Sequence, residues 1–263
     1  MELLVTIGLD AALVTALEQT LEARIVAYPA IPRAFSIDGR VLIESARVAG
    51  RLIEPRGVLF YSYFDAPDAA IVRRALALSD VPTFPDVTRT IHLDDKAVGL
   101  VAALEAGVPR LPRGYVPAGE IPSFAGERVL KWGHRHCGED KVRAASGFVV
   151  PQPALVEPFV EGTSERILLV GDHAWHLRYE SADWRKNVGA TITTLAAPEP
   201  ALLDAARRVA THLGLLVAGI DFLVRDGVPY LLEVNAYPGL DDVPDAPAAF
   251  VGHAEEWWRR VIS

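Results

Sequence analysis

The sequence is poor in cysteine and in clustered positive charge, and each scarcity excludes a class of protein. Cys137 is the only cysteine among 263 residues, which excludes an internal disulfide and a thiolate zinc site. The formal net charge is −8, and no basic block is long enough to follow a nucleic-acid backbone. We therefore expect small molecules or proteins as partners, and no nucleic acid.

Long apolar runs are also lacking. No stretch reaches the length of a membrane span, and the first residues lack the basic region that begins a signal peptide. Hydrophobic residues make up 51% of the chain and charged residues 23%, which is typical of ordinary globular proteins. These features predict a cytoplasmic protein that does not interact with a membrane.

A hairpin pattern in the C-terminal part of the chain is the most informative feature that is present. Two apolar segments flank an Asp226-Gly227 turn signal and carry polar side chains where a buried strand is normally apolar. Side chains alternate along a strand, so Glu233 and Asn235 project from one face. With Asp221 they provide two carboxylates and an amide, ligands that suit Mg²⁺ or Mn²⁺. The alternative is that all three are solvated positions on an edge strand.

The register of this hairpin decides whether Asp221 joins the other two ligands. A two-residue loop would pair Arg225 with Val228 and leave Asp221 on the opposite face. A three-residue loop, with Gly227 in the left-handed conformation, would pair Val224 with Val228 and bring Asp221 to the shared face. We predict the three-residue loop.

The order of the predicted elements divides the chain into three parts. Residues 1–85 alternate strands and helices and predict a small α/β domain. A dinucleotide-binding fold is unsupported, because no Gly-x-Gly-x-x-Gly follows the first strand. Residues 86–155 and 156–263 predict two α+β lobes, in which the strand spacing favours antiparallel pairing. The predicted fold class is therefore α/β, with two α+β lobes after the first domain.

Other polar side chains lie where they could bind a nucleotide. Lys131 lies in an apolar strand, where it needs an anionic partner unless it is an edge-strand lysine that prevents aggregation. The loop 133–141 contains two glycines, ends at Lys141 and could fold over phosphates, although it lacks P-loop spacing. The segment 157–160 could face a purine, or could be a buried strand that passes a bend. Side chains that could bind an anionic substrate follow at Arg166, Arg178, Arg185, Lys186 and Asn187.

Taken together, these motifs resemble the ATP-grasp superfamily over about residues 95–240. Asp95-Lys96 and the Gly107-Val108-Pro109 step are similar to the entry into the ATP-binding lobe of that family. The segments 219–221 and 232–239 are similar to the signature of the ribosomal-protein glutamate ligase and glutathione synthetase branch. The segments 130–142, 157–160 and 184–189 also resemble the C domain of the synapsins.

The resemblance implies a role for each matched position. ATP would be bound by Lys96 and Lys131 on the phosphates, by Glu157, Pro158, Phe159 and Val160 against adenine, by Glu165 near the ribose or substrate, and by Asn187. The metal ligands would be Asp221, Glu233 and Asn235. The catalytic side chains would be Arg178, Lys141 and Arg185, with Arg178 holding an acylphosphate and Lys141 reaching inward from the loop over the phosphates.

These assignments predict an ATP- and Mg²⁺-dependent carboxylate–amine ligase that forms an amide or peptide bond through an acylphosphate. Its substrates would be small-molecule or peptide carboxylates and amines. Two alternatives use the same fold. One is a nucleotide-binding regulatory protein in the manner of the synapsins, and the other is a small-molecule kinase.

Overall fold

The computed structural model describes residues 2–62, 67–94, 96–120, 126–132, 140–145, 147–241 and 243–263. Its elements form an N-terminal parallel sheet followed by two antiparallel sheets that carry the site. The predicted mixed α/β fold is therefore confirmed. No helix within those ranges combines the length and the apolar character needed to cross a membrane.

The N-terminal part is a four-stranded parallel sheet with a small antiparallel sheet beside it. Its strands are β1 Leu3–Ile7, β2 Arg24–Tyr28, β3 Ala34–Ile37, β4 Arg40–Glu44, β5 Leu52–Ile53, β6 Gly57–Phe60 and β7 Thr83–Phe84. Its helices are α1 Ala11–Thr20, α2 Pro67–Ala77 and α3 Val87–Thr90, followed by a 3₁₀ turn at Ile91–Asp94. The parallel order is β2-β1-β6-β7, and β3, β4 and β5 form the small sheet. Helix α1 begins where the Asp10 carboxylate accepts hydrogen bonds from two backbone N–H groups of the first turn.

The middle part is an antiparallel sheet in the order β11-β10-β13-β8. It follows helix α4, Lys96–Leu104, and contains β8 Gly114–Val116, β10 Arg128–Lys131, β11 Lys141–Ala144 and β13 Ala154–Pro158. The short strands β9 Gly119–Glu120 and β12 Val149–Val150 pair with each other. A small apolar cluster that includes Leu130 and Val156 lies beneath this sheet.

The C-terminal part is a five-stranded antiparallel sheet in the order β16-β15-β14-β17-β18. Its elements are β14 Thr163–Val170, β15 His173–Glu180, β16 Thr191–Thr194, α5 Pro200–Leu213, β17 Val217–Arg225, β18 Val228–Asn235 and α6 Ala246–Ile262. Helix α5 begins at Pro200 and ends at Leu213, and Gly214, with φ 68°, caps its C-terminal end. Both bounds agree with the sequence pattern, since proline favours the first helical turn and glycine tolerates the left-handed cap.

The two faces of this sheet belong to different cores. Along β14, Leu168 and Val170 pack with the N-terminal sheet and α6, whereas Ile167 and Leu169 pack with α4 and α5. The N-terminal sheet thus shares one core with the C-terminal helix, even though a boundary near residue 85 was predicted. At Gly57, an added Cβ would lie 3.0 Å from the ring atoms of Trp258, so the strand and the helix are in direct contact.

Candidate active site

A cleft of about 150 Å³ lies between the middle sheet and the β17–β18 hairpin. Leu93 and Leu100 line it from the segment that joins the N-terminal part to the lobes. Most of the residues predicted from the sequence to act on ATP also line this one cleft: Lys131, Lys141, Glu157, Pro158, Phe159, Val160, Arg185, Asn187, Asp221 and Glu233.

Asp221 and Glu233 lie on one face of the hairpin, as predicted, but the strand pairing that brings them there differs from the predicted pairing. The hairpin loop has two residues, with φ 52° at Asp226 and 75° at Gly227, and Arg225 pairs with Val228. The predicted three-residue loop is therefore wrong, although the positive φ of Gly227 is confirmed. A β-bulge further along β18 restores the face, because Phe222 pairs with Leu231 while the next residue, Asp221, pairs with Glu233. The extra residue is Leu232, which shifts the register by one and turns Glu233 toward Asp221.

Asp221 is the centre of the polar face of the hairpin. Arg166 donates from Nε to Asp221 Oδ1 at 2.6 Å and from a terminal nitrogen to Oδ2 at 2.9 Å. Asn235 Nδ2 donates to the same Oδ2 at 3.1 Å. Arg166 and Asp221 are opposite each other in the β14–β17 register, so the fold places this guanidinium on the same face as the predicted metal ligands.

The donor set on this face fits a hard divalent cation. Two carboxylates and an amide provide oxygen ligands only, which Mg²⁺ and Mn²⁺ prefer. Arg166 and Asn235 together donate three hydrogen bonds to Asp221, and an ionised carboxylate accepts about four, so about one lone pair is left for a cation. Among the described residues, no three His, Cys, Asp or Glu side chains form a metal site by themselves. A cation here would therefore need ligands from a bound phosphate as well as from Asp221, Glu233 and Asn235.

Glu157 is the buried anion on the opposite wall of the cleft. Its side chain is 4% exposed and contacts Lys131 Nζ at 2.5 Å through Oε1 and Arg113 Nε at 2.9 Å through Oε2. Burial raises the pKa of Glu157, but the charges of Lys131 and Arg113 outweigh it, so the pKa lies below its ordinary value. Lys131 therefore has the anionic partner that its place in an apolar strand requires.

A second set of contacts joins the two walls of the cleft. Lys141 Nζ, at the start of β11, lies 3.3 Å from Asn187 Oδ1 in the loop after β15. In the same loop, Asp183 holds Arg185 through both carboxylate oxygens, at 3.0 Å from Nε and 2.7 Å from a terminal nitrogen. These hydrogen bonds to Arg185 lower the pKa of Asp183 to about 2. The loop therefore presents Arg185 and Asn187 to the cleft from a fixed position.

Phe159 is the aromatic ring of the cleft wall. The guanidinium of Arg143 lies over this ring at 3.6 Å from its centroid, and Trp184 meets it edge-on at 6.3 Å. Glu127 in turn holds Arg143 through both nitrogens of a bidentate contact. The Phe159 ring is thus held between Arg143 of the middle sheet and Trp184 of the loop after β15.

Two predicted residues lie on the other face of the five-stranded sheet. The side chain of Glu165 projects from the same face of the sheet as Ile167. The side chains of Arg166 and Asp221 project from the opposite face. Glu165 is buried against His176 and accepts from Arg178 at 3.0 Å. Glu165 and Arg178 are therefore partners of each other and are absent from the cleft lining, so their predicted contacts with ribose and acylphosphate stay predictions.

Two further predictions meet the limits of the described residues. Lys96 begins α4, but its side chain lies outside the described part. Residues 133–139 of the predicted cover loop also lie outside the described residues, and only its end, Asp140 and Lys141, is described.

The sequence analysis missed Arg113 altogether. Arg113 is 7% exposed and bonds Glu157 and the Leu231 carbonyl, which are 44 and 118 residues away in sequence. No local pattern around Arg113 indicates partners at that distance. The signal that the sequence does carry is general: an arginine in a segment expected to be buried requires partners for its charge.

No family model matches the chain. Two curated relatives are probable alpha-L-glutamate ligases. The one from Xanthomonas euvesicatoria is 36% identical over 119 residues, and the one from Citrobacter koseri is 30% identical over 126 residues. The first match covers 40% of this chain and 40% of the relative, and the second covers 46% and 41%. The chain thus spans less than half the length of the curated relatives that it matches.

Solved structures match along almost the whole chain. D-alanyl-alanine synthetase A of Vibrio cholerae matches with a TM-score of 0.68 and 12% identity, over 99% of this chain and 97% of that one. The ATP-grasp ligase PsnB, solved with a minimal precursor, matches with 0.66 and 15% identity, over 96% and 98%. A RiPP-associated ATP-grasp ligase of Chryseobacterium gregarium, solved with ADP and a leader and core peptide, matches with 0.65 and 12% identity, over 99% and 97%. The chain has the ATP-grasp fold.

Proposed function

We propose that this chain is an ATP- and Mg²⁺-dependent carboxylate–amine ligase that forms an amide bond through an acylphosphate. The observation that carries the proposal is the charge arrangement of one cleft. Lysines and an aromatic ring line one wall, and the carboxylates of a hairpin line the other. A polyphosphate with a bound cation has the complementary charges.

The nucleotide would lie with its base at the end of β13. The segment Glu157, Pro158, Phe159 and Val160 borders the cleft and would lie against adenine. Lys131 and Lys141 would bind the phosphates, with Lys96 as a third cation from α4. Glu165 stays our sequence-based candidate for the ribose or substrate side.

The cation site would consist of Asp221, Glu233 and Asn235, with Asn187 on the side that faces the phosphates. A bound Mg²⁺ or Mn²⁺ supplies charge neutralisation at the phosphate oxygens when present. The protein side chains do the rest by position. Arg166 orients the Asp221 carboxylate through two hydrogen bonds, and the bulge at Leu232 keeps Glu233 on the same face.

The reaction needs no covalent group from the protein. An oxygen of the substrate carboxylate attacks the γ-phosphorus, the bond to ADP breaks, and an acylphosphate forms. The amine nitrogen then attacks the acyl carbon, inorganic phosphate leaves, and the amine loses a proton. Arg185 and Lys141 line the cleft and would stabilise charge on the transferred phosphoryl oxygens, and Arg166 is near enough to Asp221 to join them. Arg178 stays the candidate from the sequence for the same task.

The names of the similar proteins favour amino acids and peptides as substrates. Glutamate ligase relatives suggest an amino acid as the amine, and structures of PsnB and of the Chryseobacterium ligase hold peptides. We therefore propose that the carboxylate belongs to a small molecule or a peptide and that the amine belongs to an amino acid or a peptide.

The purified protein, ATP and Mg²⁺ should be incubated with pools of amino acids and acidic peptides, with Glu233→Ala as the inactive control. ADP together with a new amide mass supports the proposal. ADP with a phosphorylated acceptor would identify a kinase. Tight ATP binding without turnover across the pools would contradict ligase activity and favour a regulatory nucleotide-binding protein.

A further inference from the structure

Arg113 forms hydrogen bonds to both walls of the cleft, to Glu157 of β13 and to Leu231 of β18. It lies in the segment between α4 and β8, and its side chain is 7% exposed. Its Nε donates to Glu157 Oε2 at 2.9 Å, one terminal nitrogen donates to the Leu231 carbonyl, and the other lies 3.4 Å from the Leu111 carbonyl. One guanidinium thus bonds the nucleotide-side strand β13, the hairpin strand β18 and its own segment.

The contact with Leu231 falls at the bulge of β18. Leu231 N–H donates to the Pro109 carbonyl at 3.0 Å, and the Leu231 carbonyl accepts from Arg113. Both outward backbone groups of Leu231 are therefore bound to the segment before β8. The next two residues are the bulged Leu232 and the proposed metal ligand Glu233. Arg113 holds the backbone at the place where the register shift turns Glu233 toward Asp221.

The contact with Glu157 concerns charge. Glu157 has two cationic partners, Lys131 and Arg113, and the buried trio carries a net charge of about +1. If Lys131 leaves Glu157 to bind a phosphate, the guanidinium of Arg113 remains as the cationic partner of Glu157. Without Arg113, the same movement would leave a buried carboxylate unpaired, which proteins avoid by taking up a proton.

We propose that Arg113 is a positioning residue that releases Lys131 for the nucleotide and sets the backbone of the metal-binding strand. The inference rests on the proposed nucleotide and cation sites and adds a residue that couples them. Arg113 acts through Glu157 and Leu231, and it does not itself contact substrate.

The test compares four proteins by calorimetry with a non-hydrolysable ATP analogue: wild type, Arg113→Met, Arg113→Lys and Arg110→Met. Arg110 is an exposed arginine of the same segment and serves as the matched control. Binding is measured from pH 6 to pH 8, in buffers of different ionisation enthalpy, and at several Mg²⁺ concentrations. Other charged groups that line the cleft are common to all four proteins, so comparison with wild type removes their contributions: Lys141, Arg185, Lys186, Asp221 and Glu233.

Arg113→Met should bind the analogue with uptake of about one proton more than wild type. Its dissociation constant, relative to wild type, should therefore rise by about tenfold per pH unit across this range. Its half-saturating Mg²⁺ concentration should also rise, because the Leu231 carbonyl loses its donor. Arg113→Lys keeps one positive charge near Glu157 but cannot bridge to Leu231, so it should show the Mg²⁺ effect without the extra proton. Arg110→Met should show neither.

Two results separate the inference from the proposed function. Failure of wild type to bind the analogue would refute the nucleotide site itself. Binding by wild type, with Arg113→Met equal to Arg110→Met in proton uptake and Mg²⁺ dependence, would overturn the role of Arg113 alone. If Arg113→Met does not fold, Arg113→Lys decides, and a Mg²⁺ dependence equal to that of wild type overturns the proposal.

Discussion

Replacing Glu157 by glutamine should destabilise the protein strongly at neutral pH. Gln keeps the size and one carbonyl oxygen of the side chain but removes the negative charge that pairs with two cations, Arg113 at 7% exposure and Lys131 at 17%. Removing one partner of a buried ion pair costs about 3–5 kcal/mol, because the remaining charge stays buried. We expect the free energy of unfolding at pH 7 to fall by about that amount, as measured by urea titration.

The pH dependence has a definite sign. The pKa of Glu157 in the folded protein lies below its ordinary value of 4.5, so its ion pairs contribute stability above about pH 4.5. That contribution is lost as the pH falls through the folded-state pKa. The difference between wild type and Glu157→Gln should therefore be full at pH 7 and should shrink below about pH 4.5.

Glu127→Gln is the matched control, because it removes a carboxylate that is paired with an arginine at the surface. Glu127 is 49% exposed and Arg143 is 31% exposed, so water screens their interaction and the urea midpoint should hardly change. A Glu157→Gln protein that loses less than about 1 kcal/mol at pH 7 would refute the paired, buried carboxylate. A stability difference between wild type and Glu157→Gln that grows as the pH falls would refute it as well.

Three further predictions concern the hairpin and its arginines. Glu233→Ala should abolish Mg²⁺-dependent nucleotide binding in calorimetry while the circular dichroism spectrum stays unchanged, and full Mg²⁺-dependent binding would exclude Glu233 as a ligand. Gly219→Ala should cost about 1–3 kcal/mol in urea unfolding, because its Cβ would lie 3.0 Å from Pro238 Cβ and 3.3 Å from the Arg166 side chain. Gly239→Ala is the control, because a Cβ at that position would have no atom within 4 Å. An equal loss of unfolding free energy in both variants would argue against the close packing at Gly219. Arg166→Lys should lower kcat more than Arg178→Lys, since only Arg166 shares a face with Asp221, and the reverse order would return the phosphoryl role to Arg178.

The sequence predicts the local elements well because they depend on short patterns. The limits of α5 follow from Pro200 and Gly214, and alternation along β18 correctly places Glu233 and Asn235 on one face. The ATP-grasp resemblance, carried by spaced motifs, is confirmed by solved structures that match almost the whole chain in fold. The cleft then gathers most of the motif residues from strands that are far apart in sequence.

What the sequence could not show depends on pairing between distant segments. The two-residue loop follows the common rule for Asp-Gly, but the bulge at Leu232 cancels its effect on Asp221. The segment 109–113, more than 100 residues earlier, binds the backbone beside that bulge. In the same way, the motif that matched Glu165 and Arg178 does not reveal the face of the sheet on which they lie. Register and face are tertiary properties, so they require the partner strand as well as the motif.

The most direct test of the proposed ligation follows an oxygen atom. A carboxylate substrate that supports turnover should be labelled with ¹⁸O, and the inorganic phosphate released from ATP should be analysed by mass spectrometry. If the carboxylate attacks the γ-phosphorus, one labelled oxygen should appear in the inorganic phosphate for each amide formed. Unlabelled phosphate, or label in AMP, would contradict the acylphosphate account.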